Sequence, residues 1–144
     1  MSIKRHSLIA ACVVLGLSSA AIARQITTSG IRGQWRVFQT ELADPDGVQA
    51  YSDEQLRAIV GSRLLINRDN ARWIITPSRR VKLQEHEGFF QACGHPVIKG
   101  LGDDLYEMRC SGRKVFAPGL TLMGDGSLVI SWWDGVDIYL RKEP

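Results

Sequence analysis

The chain has no run of about 20 apolar residues, the length a membrane-spanning helix requires, anywhere in its 144 residues. It has no Gly-x-Ser-x-Gly, so the strand-to-helix elbow that presents a serine nucleophile is not encoded. Neither Cys-x2-Cys nor His-x3-His occurs, and zinc sites prefer such tight ligand pairs. Gly124-Asp125-Gly126 is rich in glycine, but no helix follows it. It reads as a hairpin turn and not as a phosphate loop. There is no internal repeat, linker or low-complexity tract. Glu85-His86-Glu87 could serve as a general base with orienting carboxylates, or simply form an exposed turn. No motif carries chemistry on its own, and neither an enzyme nor a bound cofactor or metal is expected.

The longest apolar run, Leu8 to Leu17, is too short to span a bilayer. Lys4, Arg5 and His6 precede it, and the small-x-small triplet Ala21-Ile22-Ala23 follows. This is the three-part layout of a secretory signal peptide. Residues 1–23 are therefore expected to be removed. The mature chain would be one domain, 24–144, in the periplasm or secreted, with no transmembrane segment after cleavage. Ile9-Ala10-Ala11-Cys12 also matches a bacterial lipoprotein box. Against that, Val13, Val14, Leu15 and Leu17 follow Cys12, and lipidation would leave them as an apolar tail without purpose. The full chain carries +3 and the leader holds two of its basic residues, which leaves +1. A near-neutral exported protein lacks the basic footprint of a nucleic-acid binder.

Charge is nevertheless uneven. Arg57, Arg63, Arg68, Arg72, Arg79, Arg80 and Lys82 fall in a stretch whose only acid is Asp69. The reading is either solvated strand faces or a basic patch for an anionic head group or an acidic protein. Beyond the leader two cysteines remain, Cys93 and Cys110. An even pair in an exported chain reads as a disulfide, tying the loop with His95 and Pro96 to the strand that ends at Cys110.

Short alternations of apolar and polar residues predict strands. The segments are 33–40, 63–67, 71–76, a weaker 81–85, 105–110, 113–116, 120–123, 128–133 and 136–141. Pro118-Gly119 is expected to break the strand before 120, and Cys93 to Pro96 to form a bend. Asp134-Gly135 is a favoured two-residue hairpin turn. Only one helix is indicated, over 53–61. Ser52 and Gln55 form a capping box, Leu56, Ile59 and Val60 an apolar stripe, and Gly61 a stop. The fold class is mainly β: a single antiparallel barrel of about eight strands, with one short helix between the first and second strands.

Gly33-Gln34-Trp35 opens the first strand as the Gly-x-Trp signature does in lipocalins. Arg141 sits on the last strand, where lipocalins often carry a basic residue that packs over that tryptophan. The chain thus resembles a small bacterial lipocalin-like, or calycin-like, β-barrel over residues 33–141. The resemblance implies that Trp35 and Arg141 close one end. The helix between the first two strands, the missing helix after the last strand and the short chain depart from the family.

Trp132-Trp133 must send one indole to each face of its strand, one to the core and one to a rim where exposed tryptophan favours contacts. Phe89-Phe90 has the same ambiguity. With Arg72 from the basic stretch, Trp132, Trp133, Phe89 and Phe90 are the candidate ligand or partner contacts. The expected function is an exported, non-enzymatic binding protein of the cell envelope. It would hold a small apolar or amphiphilic ligand in or at the mouth of the barrel. The alternative is a protein-binding inhibitor or immunity-type module acting on an envelope protein. A monomer is expected.

Overall fold

The computed structural model describes residues 28–47, 50–111 and 114–144. The expected leader, its cleavage site, Cys12 and the mature start at Arg24 lie outside the described residues.

Residues 28–31 form one helical turn, α1, and lead into strand β1 (Gly33–Leu42). Helix α2 (Asp53–Ile59) follows. Its capping box is formed: Ser52 Oγ accepts from the Gln55 amide at 3.3 Å, and Gln55 Oε1 accepts from the Ser52 amide at 2.8 Å. Strands β2 (Arg63–Ile66) and β3 (Asn70–Ile74) make a hairpin. Helix α3 (Pro77–Lys82) and a 3-10 turn (Glu87–Phe90) come next. Strands β4 (Ala92–Gly94), β5 (Val97–Gly100), β6 (Leu105–Arg109), β7 (Val115–Leu122), β8 (Leu128–Trp132) and β9 (Val136–Lys142) complete the chain.

The nine strands of the described residues belong to one antiparallel sheet, in the order β4-β3-β2-β1-β9-β8-β7-β6-β5. The sheet curls into a half-barrel rather than closing, because its edge strands β4 and β5 do not pair. They are consecutive in the chain, joined through His95, whose φ is 45°. The expected disulfide Cys93–Cys110 adds a clasp from β4 to the end of β6. Beside it, the Ser111 amide and hydroxyl both donate to the Gly94 carbonyl, at 3.0 and 3.2 Å.

Three local expectations are corrected. The weak strand at 81–85 is not formed. The chain there ends α3 instead, so the helix over 53–61, which forms as Asp53–Ile59, is not the only one. Pro77 at the first turn is pre-set for a helix. Arg79, Arg80 and Lys82 in the last turn suit its dipole. Lys82 also reaches Glu54 of α2 at 2.7 Å. The bend after Cys93 is brief, and β5 begins directly beyond Pro96. Pro118-Gly119 does not end a strand, because β7 runs through it. Tyr106 opposes Leu120, Met108 opposes Ala117 and Arg109 opposes Val115, so β7 carries one extra residue at each of these two steps, and its pairing with β8 starts only at Gly119. Proline is tolerated at such a bulge, where no ladder donor is lost.

The core is continuous and contains Trp35, Leu64, Met108, Leu120, Ile130, Ile138 and Leu140, each fully buried. In β9, Val136, Ile138 and Leu140 point inward as the period-2 pattern requires. At the β8–β9 turn Trp132 pairs with Val136, so the loop is Trp133-Asp134-Gly135, one residue longer than the expected two-residue turn, with φ of 62° and 78° at Asp134 and Gly135.

Candidate functional site

Trp35 lies wholly inside the sheet, and its Nε1–H donates to the Ile31 carbonyl of α1 at 2.8 Å. The cation above its ring is Lys142, with Nζ 5.4 Å from the centroid, and not Arg141. Arg141 instead lies over Phe38, 4.2 Å from that centroid. The reason is parity. Arg141 shares the outward face of β9 with Asp137 and Tyr139, whereas Lys142 shares the inward face with Leu140 and pairs directly with Trp35. Gly33 makes room for it: with φ of 139°, a Cβ there would meet Lys142 Cε at 2.7 Å. The lysine then donates to the Gly30 carbonyl at 2.9 Å.

The other candidate contacts separate into core and surface. Trp132 is buried and is the hub of an aromatic cluster. Its ring lies 5.4 Å from Trp73, 5.2 Å from Phe89 and 5.9 Å from Phe116. These rings pack against one another in the buried core. Trp133 is 42 % exposed.

A groove opens at the edge of β3. Strand β4 covers β3 only as far as the Arg72–Ala92 pair. Beyond it the chain turns away through the 3-10 turn, leaving the edge at Trp73 and Ile75 uncovered. The groove there has a volume of about 370 Å³ and gathers Arg72, Trp73, Arg80, Phe89, Phe90 and Gln91. That volume lies near the lower limit of roughly 300 Å³ for small-molecule sites. The Arg80 guanidinium stacks on the half-buried Phe90, 4.8 Å from its centroid. A second recess, about 230 Å³, adjoins it across Gln91 and Ala92 and is lined by Trp133, Lys114 and Phe116. Lys114 Nζ donates to Gln91 Oε1 between the two.

Arg72, Phe89 and Phe90 therefore meet in one groove, Trp133 borders the next, and Trp132 belongs to the core. Arg80 and Trp73 are site residues that the sequence reading did not single out. Arg80 stood in the basic stretch, and its place on an unrecognised helix hid its approach to Phe90. The stretch itself is dispersed: Arg63 pairs with Glu143 at 3.0 Å and Lys82 with Glu54. Arg72 and Arg80 have no carboxylate within 4.0 Å among the described residues.

Among the described residues three buried polar atoms have no hydrogen-bond partner: Asn70 Oδ1, Trp73 Nε1 and His86 Nε2. His86 stacks on the buried Tyr51 at 3.9 Å. Burial, and then the nearby Asp134 charge, push the Tyr51 phenol well above its ordinary range. That phenol cannot serve as a base near neutral pH. No three His, Cys, Asp or Glu side chains converge as metal ligands among the described residues. No helix among them is long and apolar enough to cross a membrane. No protein-family model, curated protein or solved structure matches the chain.

Proposed function

We propose that this chain is an exported, non-enzymatic binding protein of the periplasm or the secreted fraction, with a calycin-like half-barrel as its scaffold. Its working surface is the β3-edge groove at the mouth of the sheet, and its ligand is a small amphiphile. One observation carries this reading. An aromatic cluster around Trp132 packs inside the sheet, while the groove outside joins an apolar wall to two cations with no ion-pair partner among the described residues. A ligand is thereby directed to the rim.

The test is native mass spectrometry of the protein purified gently from an envelope fraction. A retained small molecule, lost in Phe90→Ser, supports the reading. The same spectrum should show a polypeptide starting at Arg24, without acyl chains. A second reading is a protein-binding inhibitor or immunity-type module. Exposed Trp133 beside a packed aromatic core favours it, and envelope pull-down with Trp133→Ala as control tests it.

A further inference from the structure

We infer that the ligand of the β3-edge groove carries an anionic head, a carboxylate or a phosphate, joined to an apolar group. This deepens the binding reading above and rests on it. The polar side chains of the groove are donors. Arg72 and Arg80 have no ion-pair partner among the described residues, and no Asp or Glu lines the groove. Gln91 has its Oε1 engaged by Lys114, which leaves its amide N–H groups as the uncommitted ones.

A second observation is independent of charge. Trp73 lines the groove, is only 7 % exposed, and its buried Nε1–H has no acceptor among the described residues. Buried donors are nearly always satisfied. The residue whose donor lacks an acceptor therefore belongs to the groove wall. A cationic head would face two guanidiniums with no counter-charge, and a neutral head would cover both without pairing either. Phe90, Ile75 and Ala92 supply the apolar wall. Arg80, held over Phe90, sets a positive charge directly beside that wall. Head and tail of one amphiphile fit the two halves.

The experiment is calorimetric titration of the intact protein with dodecanoate, dodecyl phosphate, dodecyl maltoside and inorganic phosphate, each below any micellar concentration. The expected result is binding of one or both anionic amphiphiles, with dodecanoate against dodecyl phosphate deciding which head is preferred. Arg72→Gln and Arg80→Gln should each weaken that binding by about tenfold, as loss of a charge-assisted hydrogen bond does. Both residues are exposed, so the thermal midpoint should not move. Trp73→Phe should weaken it less. If dodecyl maltoside binds as tightly and the arginine variants change nothing, the anionic head is refuted while the groove as a binding site stands. Inorganic phosphate binding as tightly as dodecyl phosphate refutes the apolar part. No binding of any amphiphile overturns both this inference and the amphiphile reading.

Discussion

Replacing Trp35 tests how the half-barrel is held together at its first strand. The side chain is fully buried, so Trp35→Ala removes a large aromatic group from water-free surroundings and leaves a cavity. Such changes cost about 3–5 kcal/mol. Small domains have about 5–15 kcal/mol in total, so the loss is roughly a fifth or more of the stability. Two further contacts go with the ring. Its Nε1–H holds the Ile31 carbonyl of α1 at 2.8 Å, and Lys142 lies over its face. Trp35→Phe separates these contributions. It keeps most of the apolar volume but leaves a buried carbonyl without its donor, a cost of about 1–3 kcal/mol. Urea unfolding followed by circular dichroism measures both, with the slope unchanged if only stability has moved. The reasoning is refuted if Trp35→Ala costs less than about 1 kcal/mol, the scale of an ordinary surface change. It also fails if Trp35→Phe costs as much as Trp35→Ala.

A double-mutant cycle should couple Arg141 to Phe38 by about 0.5–1 kcal/mol, the value of an exposed cation over a ring. No measurable coupling of Arg141 to Trp35 is expected, and the reverse outcome would mean that β9 is read in the wrong parity. Thiol labelling of the unreduced protein should find neither Cys93 nor Cys110, and Cys93→Ser/Cys110→Ser should cost about 3 kcal/mol on a chain-entropy account. Full labelling of both would sink the clasp between β4 and β6. Hydrogen bonding from Gln34, then the Arg63 charge, hold the Glu143 carboxyl below its ordinary 4.5. Its contribution to stability is therefore present above pH 4.5 and lost as pH falls through the lower folded value. Glu143→Gln should show its deficit at neutral pH and converge with the parent in acid. A deficit independent of pH would argue against this account.

Much of the fold is legible in nearest-neighbour chemistry. The capping box at Ser52 and Gln55, the Asp134-Gly135 turn and the inward face of β9 each depend on a few adjacent residues. Each forms where its pattern lies, the turn with Trp133 added to it. Parity alone would also have assigned Lys142, not Arg141, to Trp35, since the inward set continues from Leu140 by two. The resemblance to a family pattern obscured that. Other features were not encoded locally. The segment 81–85 reads as a weak strand until Pro77 is seen as a helix start and Lys82 is seen to meet Glu54, a partner supplied by packing. Pro118 reads as a break because local chemistry cannot register that β7 is bulged there and paired with β8 only from Gly119.

The amino-acid sequence by itself determined the mainly β character, the hairpins and the buried Trp35. Each follows from backbone geometry and periodicity over a few residues. The tertiary structure alone decided that the sheet stays open, that Trp132 and its neighbouring rings pack together in the core, and that Arg72, Arg80 and Phe90 line one groove. These depend on which distant segments meet. Strand β4 stops after three residues, so the β3 edge is exposed, and only the packed chain brings helix α3 and the 3-10 turn to its side.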